Sequence, residues 1–333
     1  MIESKPDSIG INDRLNSIVL FNESGDKWIS RRKIVGGSKT NILNLSAVRY
    51  QWAIDYYRRM SASAYNPLQF SLSRENRDYT SLSEIERKSY DRILSSLVVM
   101  ESIVVSNIQF VYPYITSPEV SACFSTMQLQ QTVHCDTYSQ IINSAVPEAQ
   151  REGVFEGWRT NEQMRLRNRD INGMLLKFVK EPTMGNFLKN TLVTTLVLGV
   201  VIPTEIALIY ALARHSKVVA TANAIKYVHR DLALHSDFLQ TLIKALSEEN
   251  ATLNTPEVRK DLGQTVRDVV NIETDLIHNI SEGMIPGLSD VTISRFSQAL
   301  SNKIAKNTGM ETLFPGITMS PIPWFDSFGE IRK

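Results

Sequence analysis

Two short segments, about a hundred residues apart, carry side chains whose types and spacing suit chemistry inside a helical bundle. In the first, Gln131, His134 and Tyr138 stand at positions i, i+3 and i+7, which share one face of a helix. In the second, Asp231 lies one helical turn before His235. Imidazoles and carboxylates bind metal ions or move protons, and a phenol can be oxidised. The two segments therefore predict one shared site.

The metal-binding pattern at this site is incomplete. A ferritin-like bundle builds a two-metal centre from two helices that each give Glu-x-x-His and two that each give a single carboxylate. His134 and His235 fit that pattern, but Gln131 and Leu232 stand where the preceding glutamates would be. A histidine alone is more often a hydrogen-bonded core residue than a ligand. The pairing with a phenol and an aspartate favours a common site.

Apolar residues recur at helical spacing through most of the chain and predict an all-α fold with long helices. The segment Ser81–Glu84 (Ser-Leu-Ser-Glu) is typical of a capping box, with a hydroxyl at the N-cap and Glu three residues later. The sequence has no persistent strand alternation, Gly-rich phosphate loop or nucleophile elbow. The predicted helices cover 45–61, 81–111, 117–144, 187–212, 216–246, 256–280 and 289–306, with two amphipathic pieces over 148–179.

The charge balance and the cysteine count limit the classes of partner. The 333 residues include 36 Lys and Arg against 35 Asp and Glu, so no net charge steers the chain to nucleic acid or to an anionic membrane. Cys123 and Cys135 exclude a disulfide framework and suit a reducing compartment. We therefore expect a cytoplasmic protein with no nucleic-acid partner. The basic run Arg165–Arg169 is interpreted as a solvated helix face.

One apolar stretch, Thr191–Ala213, is long enough to span a bilayer, with Glu205 as its only charge. Pro203 and Glu205 lie in its middle, and aromatic residues do not flank it as they flank membrane spans. These features favour the buried central helix of a large bundle, so no membrane association is predicted.

Motifs between Arg32 and Trp324 resemble those of the class I ribonucleotide reductase small subunit. The segment Arg230–His235 agrees with that family's Arg-Asp-Glu-Ala-Leu-His at five of six positions. The segment His134–Tyr138 resembles its second ligand histidine and radical tyrosine, and Asn76–Ile103 resembles the run into its first carboxylate ligand. Pro321–Trp324 resembles the segment after its last helix.

The resemblance implies an architecture and a set of partners. The fold would be an all-α, ferritin-like helical bundle of the ribonucleotide reductase small-subunit type. It would comprise an N-terminal arm over 1–44, a helical domain over 45–310 and an irregular C-terminal tail over 311–333. The subunit would form a homodimer and act with a large subunit that makes deoxyribonucleotides.

The resemblance also implies a ligand set. Of the six implied positions, only Glu101, His134 and His235 keep a side chain suited to a hard cation, which leaves one negative charge where the family has four. Two cations held close together need carboxylates to offset their repulsion, so we expect no metal or a single metal ion rather than an iron or manganese pair. Glu205, seven residues after Leu198, could return a carboxylate, although a salt bridge elsewhere is favoured. The six implied positions are Glu101, Gln131, His134, Leu198, Leu232 and His235.

Radical chemistry is the implied function of the site. Tyr138 corresponds to the family's radical tyrosine, and Asp231 would link His134 to the next oxidisable ring. Tyr65 stands where the family has the tryptophan of its electron-transfer route, so an oxidisable ring is kept there. The apolar residues implied around the radical are Ile202, Ile206 and Val228.

One branch of the family, the metal-free small subunits, resembles this chain most in its ligand losses. In that branch three ligand carboxylates are replaced, a hydroxylated tyrosine carries the radical, and a flavodoxin-like protein activates it. Gln131 fits that branch, whereas Leu198 and Leu232 depart from it. The resemblance therefore implies a radical on Tyr138 or on its hydroxylated form, without a metal pair.

Two other functions stay open at this point. The chain could be a degenerate small subunit without a redox centre that serves a structural or regulatory role. It could also be a mononuclear-metal oxidase on the same scaffold, with the ion on Glu101, His134 and His235.

Overall fold

Helices make up most of the computed structural model, which describes residues 21–281, 287–317 and 319–329. An isolated antiparallel bridge joins Val35 to Ile115. The predicted arm and tail therefore lie partly outside the described residues. The helices are α1 Gln51–Ala62, α2 Glu75–Ser81, α3 Glu84–Val111, α4 Pro118–Ala145, α5 Glu148–Phe155, α6 Gly157–Thr160, α7 Glu162–Lys180, α8 Met184–Leu196, α9 Ile202–Arg214, α10 Val219–Glu249, α11 Pro256–Ser281, α12 Asp290–Asn307 and α13 Trp324–Gly329.

The all-α, ferritin-like expectation is confirmed, and local signals explain where several helices begin. The capping box of α3 uses Ser83 and Glu86, in both directions. The prediction of Ser81 and Glu84 was therefore wrong by two residues. The sequence Ser-Leu-Ser-Glu-Ile-Glu contains two overlapping matches, and Ser81 is already the last residue of α2. At α4 the Ser117 side chain accepts from the Val120 N–H, in the same manner.

The apolar stretch predicted as one helix is interrupted by a π turn, Val197–Val201, between α8 and α9. Pro203 lies in the first turn of α9 and has no N–H to continue the hydrogen-bond ladder, which accounts for the break. Gly199 permits close packing there, because a Cβ at this position would lie 2.5 Å from Ser236 Oγ. The π turn thus brings this segment against α10.

Two helical stretches, Glu84–Tyr114 and Met184–Arg214, are long and apolar enough to cross a membrane. In the second, 94% of the most apolar window is buried inside the protein, whereas the value is 56% in the first. Such burial by protein is what the central helix of a large bundle shows.

The segment before α1 is held against the body of the protein. The backbone N–H groups of Arg49 and Tyr50 both donate to Glu119 Oε1, at 2.8 and 2.9 Å. The Thr116 N–H donates to the Ile34 carbonyl at 2.8 Å. The first long helix consequently begins at Gln51, six residues later than the apolar pattern predicts.

Four elements position the predicted site. Helix α3 carries Glu101, α4 carries the Gln131–Tyr138 segment, the π turn carries Leu198, and α10 carries the Asp231–His235 segment. Because α3 packs on α4, and α10 packs on both α4 and the π turn, all four elements face one another in the centre of the bundle.

Candidate functional site

The six positions implied as ligands all lie in the centre of the bundle, and their side chains are fully buried. The rings of His134 and His235 stack with their centroids 6.0 Å apart. The structure therefore brings together the two histidines that the helical spacing paired. Leu198 and Leu232 are equally buried, and they bring no donor atom to the site.

His134 lies between two carboxylates. Its Nδ1 is 3.3 Å from Glu101 Oε1, and its Nε2 is 3.6 Å from Asp231 Oδ2. Burial lowers the pKa of His134, but the two carboxylates outweigh burial and raise it to about 9. Burial opposes the charge of Asp231 as well, yet contact with His134 lowers the pKa of Asp231 below its ordinary value. At neutral pH an imidazolium with both nitrogens protonated therefore faces the Asp231 carboxylate.

The second histidine is held neutral by two glutamine side chains. Nε2 of His235 lies 2.8 Å from Gln130 Oε1, and Nδ1 lies 2.9 Å from Gln131 Nε2. An amide oxygen only accepts and an amide nitrogen only donates, so the proton is on Nε2 and the lone pair of Nδ1 is occupied. Burial and the charge of His134 lower the pKa of His235 to about 3. His235 is thus a neutral, fully hydrogen-bonded imidazole.

The donor set does not fit a pair of metal ions. A ferritin-like two-metal centre uses four carboxylates and two histidines, whereas here the six positions offer one carboxylate, Glu101. The lone pair of His235 Nδ1 is used by Gln131. Across the described ranges, no group of three or more His, Cys, Asp or Glu side chains is arranged to hold a metal ion.

Two buried oxygens of the site, Glu101 Oε2 and Gln131 Oε1, have no hydrogen-bond partner among the described residues. Unpaired buried acceptors are costly, so each provides a point where a water molecule or one small cation would be stabilised. The site could therefore bind one water molecule or one small cation at these oxygens.

Tyr138 is fully buried one turn after His134, and its hydroxyl donates to Glu101 Oε1 at 3.4 Å. Burial, followed by the charge of Glu101, raises the pKa of Tyr138 well above the ordinary value for a phenol. Tyr138 is therefore a neutral phenol with a carboxylate beside its proton. The three apolar residues implied around it are all fully buried: Ile202, Ile206 and Val228.

The ring of His134 also stacks on the ring of Tyr65. The two rings are nearly parallel, with centroids 6.4 Å apart. The resemblance placed Asp231 between His134 and Tyr65, but the Tyr65 hydroxyl instead pairs with Thr137 Oγ1 at 2.9 Å. Asp231 takes its other contacts from Arg230 Nε at 2.8 Å and from Gln130 Nε2 at 3.4 Å. Asp231 thus pairs with two cations, the imidazolium of His134 and the guanidinium of Arg230.

A second buried charge cluster lies on neighbouring helices. Nη1 of Arg167 is 3.2 Å from both Glu205 Oε1 and Glu273 Oε2, and Ser96 bonds to both Arg167 and Glu205. Glu205 is therefore paired with Arg167, as the favoured interpretation of a salt bridge expects. Burial, followed by the charge of Glu205, raises the pKa of Glu273 well above its ordinary value.

Sequence reasoning missed two features of the site. Arg167 was interpreted as part of a solvated face, but it is 1% exposed. Its spacing from Met164 and Ile171, both buried on the same face of α7, was the signal that could have shown this. Gln130 was passed over because a glutamine carries no recognisable pattern by itself.

Comparisons with known proteins agree on one family. The family model described as "Ribonucleotide reductase, small chain" matches residues 42–321. The "Ribonucleoside-diphosphate reductase subunit beta" of Halalkalibacterium halodurans is 28% identical, over 90% of this chain and 87% of that protein.

Two solved structures extend the likeness to the fold. The "Ribonucleotide reductase R2 subunit" of Clostridium botulinum superimposes with a TM-score of 0.90 at 30% identity, covering 94% of this chain and 98% of that one. The dimanganese(II) form of the Streptococcus sanguinis protein NrdF superimposes with a TM-score of 0.76 over 87% of this chain and 99% of that one. At 16% identity, the second likeness is one of fold alone.

The protonation states of the two stacked histidines can be measured directly. In nitrogen-15 NMR spectra, we expect His134 to titrate near pH 9 and His235 near pH 3. Because the pKa of His134 is raised on folding from 6.5, its contribution to stability is complete below pH 6.5 and is lost as the pH rises through 9. Asp231→Asn should move the His134 midpoint downwards. A His134 midpoint below 6.5 in the wild type would contradict this charge arrangement.

Proposed function

The chain belongs to the ribonucleotide reductase small-chain family, and from that premise we propose that it stores a one-electron oxidising equivalent on Tyr138 for a large subunit. The large subunit would use it to reduce ribonucleoside diphosphates. The observation that supports this role is a fully buried phenol whose proton faces a carboxylate, Glu101, at 3.4 Å.

This geometry suits reversible oxidation of Tyr138. When a phenol loses an electron it becomes a strong acid, and Glu101 Oε1 is placed to receive the proton. Burial raises the pKa of Glu101, so the carboxyl group can hold that proton and return it when the electron comes back. Burial of the ring also keeps external reductants away from the radical.

The oxidising equivalent would leave through the rings beside Tyr138. Glu101 contacts both Tyr138 and His134, and His134 stacks on Tyr65. In this route Tyr65 is the relay, and Asp231 is a positioning residue that fixes the charge and orientation of His134. Tyr for the family's tryptophan keeps an oxidisable ring at the same place in the sequence.

We propose that an iron or manganese pair is not the resident cofactor. The solved Streptococcus sanguinis protein is a dimanganese(II) form, so that relative holds two manganese ions. In this chain Leu198 and Leu232 supply no ligand, and Gln131 brings an uncharged amide where a carboxylate would stand. The oxidant would then come from outside the chain. The metal-free branch implies that a flavodoxin-like protein activates the subunit and that a hydroxylated form of Tyr138 carries the radical.

A single metal ion is the second candidate, because Glu101 Oε2 and Gln131 Oε1 are unpaired acceptors next to the histidines. A mononuclear oxidase would need His134 to lose its proton before binding. A degenerate subunit without redox function predicts neither metal nor radical, so one set of measurements separates all three functions.

We also propose that a homodimer forms through the outer faces of α3 and α4. Phe110 on α3 and Leu129 on α4 are large apolar side chains that are 51% and 63% exposed on this face. A groove of about 330 Å³ between α3 and α7 continues this face. Its apolar lining includes Val98, Ile103, Phe110, Trp158, Leu175 and Val179.

The cytoplasmic location of the protein and the boundaries of its helical domain at residues 44 and 310 are further parts of the proposal.

The radical can be tested on protein from its native host, where any activator is present. We expect an electron paramagnetic resonance signal of tyrosyl type with less than stoichiometric metal, lost in Tyr138→Phe. Tyr210→Phe is the matched control, because Tyr210 is also fully buried but bonds to His229, on a different face of α10. A mass increase of one oxygen atom at Tyr138 would indicate hydroxylation. A signal that survives in Tyr138→Phe would contradict the assignment.

The metal proposal predicts a gain of function when carboxylates are restored. The triple variant Gln131→Glu, Leu198→Glu, Leu232→Glu recreates the ligand set of a ferritin-like centre. We expect it to bind two equivalents of manganese or iron by metal analysis and to be less stable than the wild type without metal, because the new carboxylates are buried. A wild-type protein that itself binds two equivalents would overturn the proposal.

The homodimer proposal predicts a solution mass of about 75 kDa by light scattering, twice the 37.6 kDa of one chain. Leu129→Asp places a charge in the proposed interface and should produce monomers. Val291→Asp is the control, since Val291 is 66% exposed on α12, away from this face. Dimers that persist in Leu129→Asp and dissociate in Val291→Asp would place the interface elsewhere.

A further inference from the structure

A third oxidisable ring lies next to Tyr65 and has no part in the site described above. Tyr227, on α10, is half-buried, and its ring centroid is 5.3 Å from that of Tyr65. The edge of Phe70 packs against the Tyr227 ring at 5.0 Å, and the guanidinium of Arg230 lies 5.3 Å from its centroid. Tyr227 therefore connects the buried stack to the partly exposed surface of α10.

We propose that Tyr227 is the outward redox residue of the relay and accepts the oxidising equivalent from Tyr65. This inference rests on the proposed radical function of Tyr138 and extends the route by one residue towards the partly exposed surface of α10. It gives the route the order Tyr138, Tyr65, Tyr227, with Glu101 and His134 between the first two rings.

The surroundings of Tyr65 leave Tyr227 as the next oxidisable group. Tyr65 contacts three rings within the described part of the chain: His134 inward, and Phe70 and Tyr227 outward. Phenylalanine has no ionisable group and cannot lose a proton together with an electron. Of the two outward neighbours, Tyr227 alone can form a neutral phenoxyl radical.

Arg230 determines that electron loss from Tyr227 must be coupled to proton loss. Its side chain bonds to Asp231 Oδ1 at 2.8 Å and to the Ser63 carbonyl, so the cation is fixed over the Tyr227 ring. A cation at this place opposes a positively charged ring, so electron loss must accompany proton loss. Tyr227 then loses one electron and its phenolic proton, while the Tyr65 radical takes up one electron and one proton. Electrons and protons balance, and the oxidant is the Tyr65 radical itself.

The chain contains a matched control for this environment. Tyr56 on α1 is also half-buried, with Arg59 three residues later at 5.2 Å from its ring and Phe238 edge-on at 5.8 Å. Its hydroxyl pairs with Thr241 Oγ1 at 3.1 Å, outside the stack of Tyr65 on His134. Tyr56 thus reproduces the burial, the cation and the aromatic packing of Tyr227, but lies off the relay.

The test uses the complete complex with the large subunit of the same organism. We expect Tyr227→Phe to lower the turnover of a ribonucleoside diphosphate about 100-fold, while the resting Tyr138 radical keeps its intensity. Tyr56→Phe should change turnover less than about twofold. With 3-aminotyrosine at position 227, mixing with large subunit and substrate should produce an aminotyrosyl radical. The same replacement at position 56 should not.

Each outcome separates the inference from its premise. A wild-type complex that turns over while Tyr227→Phe keeps comparable activity overturns the inference and leaves the proposed function intact. Loss of turnover in Tyr227→Phe without any aminotyrosyl radical at position 227 shows a packing role and also overturns it. A wild-type protein with neither radical nor turnover overturns the proposed function, and this inference with it.

Discussion

The arrangement of the site depends on one buried cation, the His134 imidazolium held between Glu101 and Asp231. A charge in a bundle interior is costly unless opposite charges lie against it. The two carboxylates more than offset that cost, which is why the pKa of His134 rises while that of His235 falls to about 3. Through this ion pair the bundle places a positive charge against Glu101 Oε1, the oxygen that also accepts from the Tyr138 phenol.

A second buried cation in the bundle is also paired with two carboxyl groups. Arg167 is buried with Glu205 and Glu273, so a second protein cation compensates carboxylates on neighbouring helices. Removing one partner of such a pair costs about 3–5 kcal/mol, since the other charge is left uncompensated. In ferritin-like enzymes the central carboxylates are offset by metal ions. Here the chain has fewer carboxylates at the centre, and His134 and Arg167 lie against those that remain in the bundle interior.

Sequence reasoning could place the site but not its hydrogen bonds. Helical spacing brings Gln131, His134 and Tyr138 to one face, and that pairing with the α10 segment is what the structure shows. The partners of His235 depend on side-chain rotamers of Gln130 and Gln131, which no periodicity encodes. The start of α3 was displaced by two residues because two overlapping capping boxes compete for it. The roles of Tyr227 and Arg167 depend on contacts with residues that are distant in sequence, so the sequence alone does not predict them.

The most direct test of the proposed metal-independent radical is the spin relaxation of a radical formed on Tyr138, measured by pulsed electron paramagnetic resonance between cryogenic and ambient temperature. A paramagnetic metal within the same bundle accelerates relaxation of a nearby organic radical and adds its own hyperfine pattern. The charge arrangement around His134 predicts slow relaxation, like that of an isolated phenoxyl radical, with couplings to protons alone. Fast relaxation, or a manganese or iron coupling on the tyrosyl signal, would contradict it.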